Sequence, residues 1–247
     1  PTPITAYMAC VIKAAAVTVA MRVFWILFGD YTELWAGAVW LVAVLTMFIA
    51  NVIALRQRSL KRMLAYSSIA HAGYLAMALL NVDSGGPAIL FYLVVYTLMT
   101  MGAFGIVLLV SNRFPDSKSA DDITRLNGFA YKNPVLAFMM TIFMLSLAGI
   151  PPAMGGMLGK FYIFNAAIEA DYVGLAIIGV LCAAIACYYY LRVIVAMYFI
   201  EPDNDQPALV VDLGVGGMLA LCALAVIGFG LFPSVLYNQA SFIMGAF

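Results

Sequence analysis

Three side chains in this sequence could hold or pass a proton where charge is costly: Lys13, Lys160 and His71. Each lies within a long apolar stretch. An ionisable residue at membrane depth is a functional-site candidate by default, because lipid does not solvate charge. Every acidic residue, by contrast, falls in a polar joint or within a turn of one. Two buried ammonium groups without a resident carboxylate are expensive to keep. Either the partner carboxylate lies on another part of the protein, or the lysines are poised to exchange protons. Both alternatives suit proton carriage. His71 is the sole histidine, and its near-neutral titration suits a shuttle; a hydrogen-bonded packing histidine is the plainer alternative.

The lysine at 160 follows an unusual stretch, Met144-Leu-Ser-Leu-Ala-Gly-Ile-Pro-Pro-Ala-Met-Gly-Gly-Met-Leu-Gly-Lys160-Phe-Tyr-Ile-Phe164. It sits inside an apolar run from Val135 to Ala167. At ~1.5 Å per residue one continuous helix of that length overshoots a hydrocarbon core of ~30 Å. Pro151 and Pro152 donate no backbone hydrogen bonds, and Gly149, Gly155 and Gly156 loosen the chain beside them. The spacing predicts two half-helices joined by an unwound link near 149–158, with Lys160 just beyond it. Irregular backbone at that depth must be covered by protein or line a cavity. The alternative is a kinked, tilted helix whose lysine snorkels. Asp171, in the nearest polar loop, is ~16 Å away along a helix, which disfavours snorkelling.

Around His71 the run Lys61-Arg-Met-Leu-Ala-Tyr-Ser-Ser-Ile-Ala-His-Ala-Gly-Tyr74 puts Ser67, His71 and Tyr74 on one helical stripe. Tyr92, Tyr96 and Thr100 form a similar stripe, for which interhelical hydrogen bonding is sufficient reason. Tyr188-Tyr-Tyr190 with Arg192 reads most simply as an interfacial aromatic belt with a snorkelling arginine.

The elements that must position these groups are membrane helices. The chain is 66% hydrophobic and 10% charged, with zero net charge, which excludes an ordinary soluble domain and argues against a nucleic-acid partner. Long apolar runs favour helices over a β-barrel. Cys10, Cys182, Cys187 and Cys222 lie in apolar segments and read as small core residues, not disulfides or metal ligands. No phosphate loop, dinucleotide fingerprint or haem or iron–sulfur spacing is present. No cleavable leader is recognisable, and Pro1-Thr-Pro-Ile-Thr-Ala runs straight into a span without an initiator Met, as expected for a piece of a longer chain.

The pattern predicts seven spans, at about 4–28, 34–55, 60–80, 87–111, 134–166 (broken), 172–199 and 210–232, with a kinked extension past Pro233 toward 245. Arg56, Arg58, Lys61 and Arg62 fall in one joint, and Arg113, Lys118, Arg125 and Lys132 in the next but one. By the positive-inside rule those loops are cytoplasmic, so the chain starts inside and ends outside. Ser119-Ala-Asp-Asp122 has the form of a capping box, and the spacing after it predicts a cytoplasmic amphipathic helix near 119–131.

The Lys61–Tyr74 run and the stretch Leu145–Tyr162 resemble the two signature motifs of the antiporter-like subunits of respiratory complex I. Tyr188-Tyr-Tyr-Leu-Arg192 is similar to a run in the N-type members rather than the L and M types, and the opening with Lys13 resembles the start of that family's eighth helix. One departure is Met154-Gly-Gly-Met157, where relatives usually carry a bulkier residue in the second glycine's place. The resemblance covers essentially the whole chain. It implies an all-α integral membrane fold, the C-terminal half (helices eight to fourteen) of a fourteen-helix subunit built on inverted repeats. Residues 1–30 would close the preceding repeat, 31–200 would form a five-helix repeat, and 201–247 would add a C-terminal helix.

The resemblance further implies a proton-conducting subunit of a bacterial inner-membrane NADH:quinone oxidoreductase. Lys13 and Lys160 would match the family's key lysines, with His71 between them and Ser67, Tyr74 and Tyr96 as secondary candidates. A glutamate and a lysine that complete the family's set lie upstream of this sequence. The chain itself would bind no cofactor; FMN, iron–sulfur clusters and quinone would belong to the parent complex. Its partners would be other membrane-arm subunits and the bilayer. The rival expectations are a subunit of a multi-subunit cation/proton antiporter and a purely structural remnant. The deep lysines argue against the remnant, since an unneeded charge in lipid costs roughly 2.5–3.5 kcal/mol.

Overall fold

The computed structural model describes residues 2–114, 120–201, 209 and 211–245. The regular structure among those residues is helical save for one isolated bridge between Ser59 and Asp122. The helices are α1 (Thr2–Leu27), α2 (Thr32–Leu55), α3 (Leu60–Leu79), α4 (Gly85–Ser111), α5 (Pro134–Ala148), α6 (Met154–Glu169), α7 (Val173–Phe199), α8 (Leu213–Leu231) and α9 (Pro233–Met244).

Among the described residues five helices are long and apolar enough to cross a membrane: α1, α2 with the turn before it, α4, α7 and α8. Helix α3 is not among them, because Lys61, Arg62, Ser67, Ser68 and His71 dilute its apolar character. It is nevertheless among the best buried, packed between α2 and α4. A polar helix inside an apolar bundle is where ionisable groups find protein partners instead of lipid.

Helix α4 is the central post. It touches α1, α3, α5, α6, α8 and α9 and is apolar around its circumference, as full enclosure requires. Leu34, Leu41, Val42, Leu221 and Leu224 face outward and are exposed, as lipid-facing side chains are. Helix α1 widens into π-type turns over Met8–Ile12 and Arg22–Leu27, and Lys13 follows the first directly.

The long apolar run is interrupted as its prolines and glycines predict. Helix α5 ends at Ala148, α6 starts at Met154, and the link holds Gly149, Pro151 and Pro152. Gly155 and Gly156 lie in the first turn of α6, so the link is shorter than the expected 149–158. At the C-terminal side Asp212 caps α8 through the Gly214 amide, and the chain turns at Phe232 before α9.

The single amphipathic helix expected near 119–131 is absent as such. Asp122 caps a short 3-10 turn, Ile123–Leu126; Gly128 then takes a left-handed conformation (φ 65°), and one helical turn follows at Phe129–Lys132. A left-handed residue cannot sit inside a right-handed helix, and Ser119 lies outside the described residues. Asp121 instead accepts from the Leu60 amide, and Ile123 donates to the Arg58 carbonyl. The two basic loops therefore meet at one end of the bundle. At the other end the Ser84 hydroxyl donates to Glu169 (2.6 Å).

Candidate functional site

The break in α5–α6 leaves backbone groups at membrane depth, and each needs a partner. Gly149 adopts φ 82°, the left-handed conformation that a glycine supplies without strain. Its amide donates to Ser146 and Leu145, and the Ile150 amide donates to Leu145, closing a Schellman turn. That leaves the last two carbonyls of α5. The Lys160 ammonium donates to both, at 2.8 Å to Leu147 and 2.8 Å to Ala148. Its third N–H side faces the Tyr74 ring, 5.4 Å from the centroid. The lysine is 4% exposed and does not snorkel. The negative end of the preceding half-helix stands where a carboxylate was missing.

The start of α6 is joined to the end of α5 in the opposite sense. The Gly156 amide, one of the orphan donors at a helix N-terminus, donates to Ser146 Oγ at 3.0 Å. A Cβ on Gly156 would fall 1.8 Å from the Ser146 carbonyl oxygen. Gly156 therefore sits where the two half-helices touch.

Lys13 is also fully bonded. Its ammonium donates to the Ser68 carbonyl, to Ser68 Oγ at 2.7 Å and to Tyr96 Oη at 3.1 Å, using all three N–H groups. The same nitrogen lies 4.2 Å from the Tyr96 ring centroid. Neither lysine meets a carboxylate among the described residues, whereas Lys61 pairs with Asp121 at 3.6 Å at the basic end of the bundle.

His71 lies between them, 2% exposed. Its ring is 5.0 Å from that of Tyr96, on the Lys13 side, and 5.7 Å from that of Tyr74, on the Lys160 side. Nδ1 is hydrogen-bonded to Tyr92 Oη, and Nε2 to Tyr190 Oη at 3.1 Å. Tyr190 Oη is bonded in turn to Ser67 Oγ. The structure thus brings Lys13, Lys160, His71, Ser67, Tyr74 and Tyr96 into one cluster inside α1, α3, α4 and α6.

Tyr188–Tyr190 do not form the expected aromatic belt. Tyr188 is exposed, but Tyr189 and Tyr190 are fully buried. Tyr189 donates to Asn51 Oδ1 at 2.9 Å. Arg192, partly exposed, reaches the basic-loop end of the bundle and donates there to the carbonyls of Leu55 (3.2 Å) and Gln57. A run of tyrosines on one helix covers several faces, since neighbouring residues point ~100° apart, and only one of the three points to lipid. Neither Tyr190 nor Ser68 stands out in the sequence as a partner of the ionisable groups. Ser68 lies next to Ser67, and no periodicity distinguishes which of the two meets a lysine.

No group of three or more His, Cys, Asp or Glu side chains is placed to hold a metal ion among the described residues. The four cysteines are unpaired by disulfides, and Cys10, Cys182 and Cys222 are buried.

A bundle of apolar helices, one of them interrupted, around an enclosed row of ionisable groups defines a multi-pass membrane protein. Residues 1–186 match the transmembrane family described as NADH:quinone oxidoreductase/Mrp antiporter, and the chain belongs to that family. It is 43% identical over 241 residues to NADH-quinone oxidoreductase subunit N of Trichlorobacter lovleyi, covering 97% of this chain and 49% of that protein. It is similar in structure to a chain of respiratory complex I from Thermus thermophilus, solved with bound aureothin: TM-score 0.73, 30% identity, 82% of this chain and 45% of that one. A chain of the Mrp complex from Dietzia sp. DQ12-45-1b shares the fold at TM-score 0.80 and 18% identity, over 91% of this chain and 49% of that one. The chain spans about half the length of the curated relatives it matches.

Proposed function

We propose that this chain is part of a proton-conducting membrane-arm subunit of a bacterial inner-membrane NADH:quinone oxidoreductase. Lys13 and Lys160 exchange a proton, with His71 as the intermediate. The observation that carries this reading is the position of His71 between the two aromatic rings that lie against the ammonium groups. The identity to proteins named subunit N supports the parent complex. Quinone reduction elsewhere in that complex, with its FMN and iron–sulfur clusters, supplies the energy. Altering a proton affinity tenfold takes about 1.4 kcal/mol, which is small beside redox energies.

In this reading the chain makes seven passes, counting α3 as one and the α5–α6 pair as one, with the basic loops in the cytoplasm. Residues 31–200 form one inverted-repeat unit, 1–30 belong to the unit before it, and 201–247 add the last pass. Other membrane-arm subunits are its partners.

The test is Lys160→Ala in the full-length protein within its complex. The expected result is an assembled complex whose coupled proton pumping is lost or sharply reduced; normal pumping would overturn the role. The fold shared with the Mrp chain makes a multi-subunit cation/proton antiporter the rival. Co-purification decides between them: peripheral flavin and iron–sulfur subunits for the first, small membrane subunits alone for the second.

A further inference from the structure

The hydrogen-bond chain Ser67–Tyr190–His71–Tyr92 does more than hold the histidine in place. We infer that it is a proton-relay branch joining His71 to the basic-loop end of the bundle, with Tyr190 as its obligatory member; this rests on the proton-carrying role of His71 given above.

Tyr190 Oη carries one hydrogen and is bonded to Ser67 Oγ and His71 Nε2, with the Tyr189 phenol beside it. It donates to one and accepts from the other. A neutral imidazole has the same constraint, donating from one ring nitrogen and accepting at the other, and both of its nitrogens are engaged by phenols. A proton can pass along such a chain when its bonds all run in one sense. Either Ser67 donates to Tyr190, Tyr190 to Nε2, and Nδ1–H to Tyr92, or every bond runs the other way. Moving each proton one step converts the first arrangement into the second. A proton delivered to Ser67 Oγ then releases a different proton from Tyr92. Each O–H or N–H bond broken along the chain is matched by one formed, and no charge stays on a phenol. The released proton leaves at Tyr92 Oη, whose ring stacks on Tyr96, the acceptor for Lys13.

The two ends of the chain point to different places. Ser67 stands seven residues into α3 from Leu60, ~10 Å of helix, on the side where the basic loops pair. Tyr190 sits two residues before Arg192, which donates to carbonyls of the 55–57 segment at that same end. Tyr92, at the other end, packs against Gly159, the neighbour of Lys160 (an added Cβ there would approach the ring to 2.5 Å), and stacks on Tyr96, the acceptor for Lys13. The branch thus leads from the lysine pair toward the face that the basic residues assign to the cytoplasm. Tyr189 gives a comparison on the same turn: an equally buried phenol that donates to Asn51 and lies beside Tyr190 and Ser67, yet makes no bond to the histidine.

The test uses the full-length protein in its native complex, reconstituted into liposomes, with quinone reduction and proton pumping measured together. Tyr190→Phe removes one oxygen and keeps the ring. It is expected to lower pumping about tenfold, the rate equivalent of ~1.4 kcal/mol on a barrier, and to raise the solvent deuterium isotope effect on pumping. Tyr189→Phe is expected to leave both unchanged. Ser67→Ala should act as Tyr190→Phe does, and it decides the matter should Tyr190→Phe fail to assemble. Normal pumping in Tyr190→Phe beside impaired pumping in Lys160→Ala overturns the relay and spares the proposed function. Normal pumping in both overturns the two together. Equal losses in Tyr189→Phe and Tyr190→Phe also overturn the relay, since a buried phenol with no bond to the histidine would then matter as much.

Discussion

The Lys160 ammonium donates a 2.8 Å hydrogen bond to the carbonyl of Ala148, the last residue of the half-helix that precedes its own. A second bond of the same length reaches Leu147. The side chain thereby closes the break that exposes it. An ammonium buried without a counter-ion and a helix end buried without donors are each unfavourable alone. Placed against one another, each supplies what the other lacks. This also ties the charge on Lys160 to the geometry of the link, because an amine has one donor fewer than an ammonium to divide between those carbonyls.

The first prediction follows from that pairing. Lys160→Met keeps most of the side-chain volume but donates nothing, leaving two buried carbonyls unpaired at roughly 1–3 kcal/mol each. Lys160→Ala opens space through which water can reach the same carbonyls. The smaller residue is therefore expected to be the less damaging one for thermal stability of the assembled complex, the reverse of the order in a dry apolar core. Melting temperatures of the two purified variants check this; a more stable methionine variant would show that the carbonyls do not depend on the lysine.

The second concerns the contact between the half-helices. Gly156→Ala puts a methyl group 1.8 Å from the Ser146 carbonyl oxygen, a backbone atom that cannot move without shifting α5. Assembly is expected to fail or to drop severely. Ser146→Ala instead removes only the acceptor for the Gly156 amide, at about 1 kcal/mol. Native gels should show the first variant lost and the second assembled with a slightly lower melting temperature.

The third tests Lys13. Ser68→Ala deletes the hydroxyl at 2.7 Å while leaving the Ser68 carbonyl and Tyr96 in place. Removing one acceptor of a buried charge costs roughly 1.5–3 kcal/mol. Pumping is expected to fall about tenfold or more with assembly retained, and Ser68→Thr, which restores a hydroxyl, should recover most of the loss. A variant pair with the same rate would show that the hydroxyl is not used.

Much of this was legible in the residues. Helix positions followed from apolar runs, the break from Gly149, Pro151 and Pro152, and the depth of Lys13, Lys160 and His71 from their distance to polar joints. What could not be read was which way neighbouring polar side chains face. Tyr188, Tyr189 and Tyr190 are the same residue type in a row, yet one is exposed and two are buried. The choice is made by the packing of α7 against α2 and α3. The compensation of Lys160 was equally hidden: its partners are carbonyls, which every residue carries, so no residue type announces them. The pattern at 119–131 misled for a local reason, since Gly128 offers a left-handed turn and the 58–60 segment offers competing backbone partners.

The last prediction concerns Arg192, which fastens the end of α7 to the basic loop. Its guanidinium donates to Leu55 at 3.2 Å and to Gln57, carbonyls at and just beyond the end of α2. Charged hydrogen bonds of this kind are worth roughly 1.5–3 kcal/mol, so they hold the segment carrying Arg56 and Arg58 against the bundle. Arg192→Met keeps the apolar stem and removes the donors. The loop is then expected to open and to be cut by trypsin after Arg56 or Arg58 at least several times faster than in the unaltered protein. A lysine at 192 keeps the charge but cannot span two carbonyls with a planar fork, and should fall between the two. With the loop on the cytoplasmic side, as the positive-inside rule predicts, the cut should appear in inside-out vesicles and not in right-side-out ones. Cleavage from the opposite side would reverse the orientation of every helix, and with it the direction of the Tyr190 branch.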